Sequence, residues 1–268
     1  MSSSATELIR FRSLLATLVT RELKARYRGS ALGFLWSLLN PLLLLGVYSF
    51  VFGYVFKQGR AEMVDPYALF LITGLFPWVW VSTSLVEGTI SLSANAGLIR
   101  KAVFPMQLLP MVPVLANLVN FLLAVPVIAG ALIVGRSMDY AVGGWAAVLL
   151  PLVLAIQLPL ISGLVLALSA LNVHFKDVRD LLVNLLQLLF FMTPILYPLE
   201  WVSFPALAAV IRWVNPFTPF TLAYQEILFR GAAPEPMLWL HMLAWAAVAW
   251  VVGSWLFSRL RSSLVEAV

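Results

Sequence analysis

Long stretches without an ionisable side chain constrain this chain more than any other feature of its sequence. Five runs contain no Asp, Glu, Lys, Arg or His, and a sixth is interrupted only by a histidine: Gly29–Phe56, Pro66–Val86, Ala102–Gly135, Tyr140–Val173, Leu181–Leu199 and Pro236–Ser258. About 20 apolar residues in a helix cross a bilayer. Apolar residues make up 62% of the chain and charged residues 11%, whereas soluble domains have roughly 45–50% and 25%. The sequence therefore predicts an all-α integral membrane protein with six transmembrane helices.

The positions of these runs predict three regions. Residues 1–30 precede the first span, residues 31–258 form the transmembrane domain, and residues 259–268 form a tail. We expect the spans at about 31–56, 66–93, 105–135, 145–171, 181–199 and 236–258.

The distribution of Lys and Arg predicts the orientation. With six spans, 12 of the 17 basic residues fall on the side that holds both termini. Basic flanks are retained in the cytoplasm, so both termini and the tail of this multi-pass protein are predicted to be cytoplasmic. The formal charge of +5 then indicates contact with anionic membrane lipids and not with nucleic acid.

Residues 7–28 have a helical period. One arc is apolar and contains Leu8, Phe11, Leu14, Leu15, Leu18 and Val19. The opposite arc is polar and contains Arg10, Ser13, Thr17, Arg21, Lys24 and Arg28. Three charged residues interrupt the apolar arc, namely Arg12, Glu22 and Arg26. The pattern predicts an amphipathic helix in the cytoplasmic interface, with its apolar side in the acyl boundary and its cations among headgroups. A soluble helix packed on a partner protein is the alternative.

The segment Trp201–Gly231 is apolar but too interrupted to cross the membrane. Its uncharged part, Trp213–Gln225, has only 13 residues and lies between Arg212 and Glu226. Prolines break it further. We predict two short re-entrant helices that enter the outer leaflet and return, with any irregular backbone buried in protein. A plain extracellular loop is the alternative.

Charged and glycine residues near the first two spans have two interpretations each. Glu87 is the only carboxylate well inside a span, where an isolated charge would cost roughly 3 kcal/mol. It is either a structural polar contact or a gating residue, and Arg212 is a second gating candidate.

Gly29 and Gly33 form the only Gly-x-x-x-Gly pair, which predicts either close helix packing or a bend into the membrane.

The sequence lacks the motifs of common enzymes. It has no Gly-Lys-Ser/Thr of a phosphate-binding loop, no Gly-x-Ser-x-Gly elbow and no metal-ligand spacing around its two histidines. It also has no cysteine. We therefore predict a protein that is not an enzyme and has neither a catalytic residue nor a metal or cofactor of its own.

Aromatic residues recur at every second position near the outer end of the first span: Tyr48, Phe50, Phe52, Tyr54 and Phe56. On a helix, Tyr48, Phe52 and Phe56 share one face while the other two take the opposite face. In the predicted fifth span Phe190 and Tyr197 also align, seven residues apart. The usual interpretation is an interfacial aromatic belt, and the alternative is that one set lines a conduit for sugars.

Three motifs together resemble a known family. Arg26–Pro41 ("RYRGSALGFLWSLLNP"), Asn95–Pro105 ("NAGLIRKAVFP") and Asn215–Phe220 ("NPFTPF") are similar to the permease subunit of polysaccharide-exporting ABC-2 transporters. That family exports lipid-linked O-antigens, capsular polysaccharides and teichoic acids, and the similarity covers nearly the whole chain.

The resemblance implies a homodimer of six-span subunits that works with two separate ATPase subunits, which would bind the ATP and magnesium. It also implies an interface helix, which would carry Arg21, Lys24 and Arg28. A coupling helix would map to Asn95–Phe104, with Arg100 and Lys101 facing the ATPase. A conduit between protomers would be lined by spans one and five. This favours lining roles for the conduit set, which we define as Tyr48, Phe52, Phe56, Phe190 and Tyr197.

The resemblance favours one function over two others. The expected function is export of a lipid-linked polysaccharide, with O-antigen first and capsular polysaccharide or teichoic acid as alternatives. An ABC-2 permease for drugs or lipids is less favoured because many of these carry a larger extracellular domain. A scaffold or membrane enzyme is disfavoured by the missing catalytic motifs.

Overall fold

The computed structural model describes residues 10–55, 64–101 and 105–267, and every regular element in these ranges is helical. The α-helices are α1 (Arg12–Tyr27), α2 (Trp36–Phe50), α3 (Tyr67–Ala94), α4 (Ala96–Lys101), α5 (Leu108–Ser137), α6 (Leu150–His174), α7 (Val178–Met192), α8 (Pro205–Trp213), α9 (Thr218–Tyr224) and α10 (Pro236–Ala267). Short 3-10 turns precede α2 and α6, and π-helical turns follow α2 and α9. The prediction of an all-α fold is confirmed.

Five helical segments are long and apolar enough to cross a membrane. They are Gly33–Val55, Tyr67–Ala94, Leu108–Ser137, Trp145–His174 and Pro236–Leu264. These segments coincide with predicted spans one to four and six. The protein is therefore a multi-pass membrane protein.

The predicted fifth span is shorter as a helix than we expected. α7 has 15 residues, a length of about 22 Å at 1.5 Å per residue, and it ends at Met192 rather than near 199. Thr193 has an extended ψ of 136° because the ring of Pro194 disfavours the helical conformation of the residue before it.

The chain nevertheless follows α3 along its whole length. Arg179 lines the same small cavity as Ser93, near the Ala94 end of α3. Phe190 contacts Trp78 near the middle of α3, with 5.9 Å between ring centroids. At the other end the Tyr67 hydroxyl donates to the Leu196 carbonyl at 2.8 Å. α7 and the turns that follow it thus run beside α3 from its Ala94 end to its Tyr67 end.

α3 lies at the centre of the molecule, packed against α5 and α6. Glycines allow the closest helix contact, between α6 and α10. A Cβ on Gly163 or Gly253 would overlap the backbone of the opposing helix, as in the small-residue interfaces of membrane helices. In contrast, Gly29 and Gly33 have φ of +77° and +51° and no neighbour within 4 Å of a built Cβ. That pair forms the bend into the first span and not a packing contact.

The N-terminal segment is helical from Arg12 to Tyr27, and part of its apolar arc packs against the protein itself. Leu15, Leu18 and Val19 are buried because α1 packs against α5. Its polar arc is exposed throughout: Arg10, Ser13, Thr17, Arg21, Lys24 and Arg28. Leu8 lies outside the described residues. α5 therefore covers part of the apolar arc, and the placement of α1 at the cytoplasmic interface stays a prediction.

The last helix continues through the predicted tail. α10 extends to Ala267, and Leu264 is fully buried. Residues 259–267 of the predicted tail therefore continue the helix of the last predicted span.

Candidate functional site

Aromatic rings join three membrane helices. Tyr48 on α2 lies 5.5 Å from Phe190 on α7, measured between ring centroids, and Phe190 lies 5.9 Å from Trp78 on α3. Phe52 continues the row, 6.3 Å from Tyr48. These separations are typical of favourable aromatic pairs. The structure thus brings together Tyr48, Phe52 and Phe190 of the conduit set, and adds Trp78, which the sequence analysis did not single out.

The other two members of the conduit set are placed differently. Phe56 lies outside the described residues. Tyr197 lies beyond the end of α7 and does not share a helical face with Phe190, so the alignment we inferred from their spacing is wrong. Its hydroxyl instead donates to the Phe191 carbonyl at 2.9 Å.

The two aromatic faces of the first span have different surroundings. Phe50 and Tyr54 are 61% and 73% exposed and stack on each other, 5.8 Å apart. Tyr48 and Phe52 are partly buried against the core. The helical separation of the two sets is therefore present in the structure.

A cavity of about 550 Å³ lies between α2, α3 and α7. Its walls include Tyr48, Trp78 and Phe190, and its polar groups include Ser82, Thr83, Glu87 and Gln187. Aromatic faces with a few polar groups can hold an oligosaccharide through many weak contacts. Conduction needs such contacts, because a conducted molecule must leave each site as easily as it enters.

The outer surfaces of α2 and α7 beside this cavity are apolar. Exposed residues include Leu43, Val47 and Phe50 on α2, and Leu181, Leu185 and Leu188 on α7. These faces suit either lipid or a second copy of the chain.

Glu87 is held in a polar cluster that links α1, α3 and α5. The Arg26 guanidinium donates to a Glu87 carboxylate oxygen at 2.7 Å and to the Asn117 side-chain oxygen at 2.7 Å. The Asn117 amide donates to Glu87 at 2.7 Å. Glu22 lies 3.7 Å from Arg26. The geometry therefore shows Glu87 in a structural polar contact, which is the first of its two interpretations.

This cluster also explains two residues that interrupt the apolar arc of α1. Glu22 and Arg26 break that arc because they turn toward the spans and pair there. A cation on an apolar helical arc, together with a single carboxylate inside a span, was the available sequence signal. It identified neither the partners nor Asn117.

The segment between α7 and α10 folds back into the protein. Phe217 contacts Trp78 edge-on at 5.5 Å, and α9 is almost entirely buried. The Tyr224 hydroxyl donates to the Gln157 side-chain oxygen of α6 at 2.6 Å. α8, in contrast, buries only Ile211. α9 thus packs inside the protein whereas α8 lies mostly on its surface, and the two re-entrant helices stay a prediction.

Polar side chains satisfy the irregular backbone after α7. Asn215, the first residue of the "NPFTPF" motif, donates to the Thr193 hydroxyl at 2.9 Å. Gln225 donates to the Pro194 carbonyl at 2.6 Å. Tyr67 donates to the next free carbonyl, that of Leu196. Broken helices at membrane depth require such partners, and this role of the motif was not predicted.

Arg212 lies apart from these contacts. It is about half exposed and 4.0 Å from Glu235, a separation at which an exposed ion pair contributes little. Its gating role stays a prediction.

The predicted coupling segment contains a short helix. Asn95 ends α3, where its side-chain amide donates to the Ser91 carbonyl at 2.8 Å, and α4 follows directly. The side chains of Arg100 and Lys101, and Phe104 as a whole, lie outside what the structure describes. Arg21, Lys24 and Arg28 are exposed on α1.

Most of the chain is similar to known transport proteins. Residues 13–229 match the ABC-2 type transporter family. The chain is 38% identical to the O-antigen export system permease protein RfbA of Myxococcus xanthus, over 98% of both chains. It is 31% identical to the protein of the same name from Klebsiella pneumoniae, over 94% of both chains. It is 24% identical to the polysialic acid transport protein KpsM of Escherichia coli, over 93% of this chain and 94% of that protein.

Proposed function

We infer that this chain is the membrane permease of an exporter for a lipid-linked polysaccharide, because the chain belongs to the ABC-2 type transporter family. O-antigen is the first candidate substrate. The observation that carries the proposal is the 38% identity to an O-antigen export permease over nearly the full length of both chains. The aromatic cavity between α2, α3 and α7 supplies a surface of the kind that such a substrate requires.

We propose that energy comes from partner ATPase subunits, two for each permease homodimer. The sequence has no phosphate-binding loop and so no means of its own to hydrolyse ATP. The exposed apolar faces of α2 and α7 are the surfaces through which two copies would meet, which would place the aromatic cavities of both beside the shared interface.

We propose six crossings, both termini in the cytoplasm, α1 at the cytoplasmic interface, and α8 and α9 as re-entrant helices in the outer leaflet. The contacts of residues 179–196 along α3 support the fifth crossing, and those of Phe217 and Tyr224 support the re-entrant pair. In this topology α4 and the polar arc of α1 lie on the cytoplasmic side, available to the ATPase.

Deletion of the gene tests the proposal. The strain should lose its surface polysaccharide and accumulate the lipid-linked polymer inside the cell, and the wild-type gene should restore export. The purified chain alone should hydrolyse no ATP, whereas the chain co-purified with its ATPase should. Normal surface polysaccharide in the deletion strain, or ATPase activity of the homogeneous chain, would contradict the proposal.

Capsular polysaccharide is the second candidate substrate. The 24% identity to a polysialic acid transport protein over most of both chains favours it over drugs or simple lipids. Chemical analysis of the polymer that accumulates in the deletion strain distinguishes the candidates.

A further inference from the structure

A second cavity lies nearer the start of α2, among α1, α3 and α5, and it shares Val79, Thr83 and Glu87 with the first cavity. Its volume is about 400 Å³, within the range of roughly 300–1,000 Å³ that is usual for small-molecule sites. The lining combines amides and a hydroxyl with aromatic rings, among them Asn40, Asn120, Ser37, Trp36, Trp80 and Phe121. Neither the conduit set nor the coupling segment contributes to it.

Two amides in this cavity have unused hydrogen-bonding capacity. Asn40 forms no hydrogen bond with the part of the chain that the structure describes, and it lies seven residues into the first membrane segment. The Asn120 oxygen accepts from the Tyr27 hydroxyl at 3.0 Å, while its amide nitrogen has no donor contact to a described residue. Polar groups inside a membrane segment are costly unless something partners them.

The charge of the cavity indicates what that partner is. Arg26, its cation, is already bound to Glu87 at 2.7 Å and lies 3.7 Å from Glu22. The cluster therefore has no net positive charge to offer a phosphate group. Donors and acceptors without excess charge, beside the exposed ring of Trp36, instead match a neutral polyol with apolar C–H faces.

We propose that this cavity is a sugar-binding subsite that holds one of the sugar residues nearest the lipid anchor of the exported glycan. The subsite rests on the proposed function, since it assigns a place to part of that substrate. Asn40 and Asn120 hydrogen-bond the sugar hydroxyls, and Trp36 packs on the ring. The subsite lies beside the end of α1, so an occupying sugar contacts both the interface helix and the first span.

Labelling of introduced thiols tests the subsite directly, because the chain has no cysteine. Ser37→Cys places a thiol in the cavity, and Ser258→Cys places one on an exposed part of α10 as the matched control. Each full-length variant is reconstituted in lipid nanodiscs and reacted with a water-soluble maleimide. The probes are octyl glucoside, galactoside and mannoside, with octylphosphocholine as the tail-matched amphiphile, all below their micelle-forming concentrations.

At least one glycoside should slow labelling at position 37 threefold or more, octylphosphocholine should not, and position 258 should respond to neither. Asn40→Ala and Asn120→Ala, each added to Ser37→Cys, should remove the protection. If Ser37→Cys does not fold, Ser30→Cys reports on the same cavity. The proposal is overturned if none of the three glycosides slows labelling at position 37. It is also overturned if octylphosphocholine slows labelling equally, because the cavity would then be a general headgroup site. Export in the deletion strain complemented with wild type is measured separately, so the subsite can fail while the proposed function stands.

Discussion

At the scale of single residues, the clearest result is that the one carboxylate well inside a span is paired. Glu87 receives hydrogen bonds from Arg26 and Asn117, each at 2.7 Å, and so avoids the cost of an isolated charge at membrane depth. The same contacts tie the end of α1 to α3 and α5. A movement imposed on α1 would therefore reach both spans through this cluster.

Glu87→Gln should lower the free energy of unfolding by about 1–3 kcal/mol, since it removes charge-assisted hydrogen bonds from a partly buried guanidinium. Thermal unfolding of the purified permease in nanodiscs measures this. Arg21→Gln, on the exposed arc of the same helix, is the control and should change stability by less than about 0.5 kcal/mol. The double variant Arg26→Gln, Glu87→Gln should be more stable than the sum of its single changes predicts. Wild-type stability of Glu87→Gln would show that the pair contributes nothing.

The aromatic rows of the first span lead to a second prediction. Tyr48→Ala and Phe52→Ala should reduce polysaccharide export more strongly than Phe50→Ala and Tyr54→Ala, because Tyr48 lines the cavity and Phe52 continues its aromatic row, whereas the second pair is exposed. In single-cysteine variants a water-soluble thiol reagent should label positions 48 and 52 faster than 50 and 54 in the working transporter. Equal labelling of both faces, or faster labelling of positions 50 and 54, would indicate that these residues belong to an interfacial aromatic belt.

At the scale of elements, α7 is too short to span a bilayer alone, and distant side chains hold the chain where it ends. Gln225 and Tyr67 donate to the Pro194 and Leu196 carbonyls, and Asn215 donates to the Met192 carbonyl and the Thr193 hydroxyl. Two of these three residues come from the re-entrant segment. Hydrogen bonds thus join the end of α7 to the residues on either side of α9.

α4, which we propose as the coupling helix, is the element through which a partner ATPase should act. Arg100→Glu with Lys101→Glu should uncouple export from ATP hydrolysis, because the reversed charges no longer match the partner's surface. Export should fall at least tenfold while the purified permease keeps its thermal stability. Export and ATPase activity of the co-purified complex are measured together. Normal export with wild-type stimulation of the ATPase would contradict a coupling role for these two residues.

At the scale of the whole molecule, orientation depends on whether residues 178–196 cross the membrane. If they do, the termini share the cytoplasmic side, and the excess of Lys and Arg there agrees with the usual charge distribution. With only the five segments of full membrane length, the termini would lie on opposite sides.

A reporter at the C-terminus decides between these arrangements. Green fluorescent protein fused after Val268 should fluoresce, because it folds in the cytoplasm, and alkaline phosphatase fused there should be inactive. Alkaline phosphatase fused after Asp139, in the predicted outer loop between α5 and α6, should be active and serves as the control. An active phosphatase at the C-terminus would remove the fifth crossing.

The sequence by itself determined the class of protein, most of the spans and the period of α1. Charge-free runs of 19 residues or more restrict the structures that the chain can adopt. A backbone in lipid must satisfy its own hydrogen bonds and therefore forms helices. The opposite aromatic faces of the first span also followed from helical geometry alone. All of these depend on residues close together in the chain.

Only the tertiary structure decided which of those surfaces meet. The partners of Arg26 are 61 and 91 residues away, and Gln225 bonds a carbonyl 31 residues before it, so no local pattern reveals them. The same holds for the packing of α1 on α5 and for Trp78 as the ring between Phe190 and Phe217. Local patterns specify helices and their faces, whereas the pairing of faces depends on shape and charge contributed by distant segments, and these come together only when the chain folds.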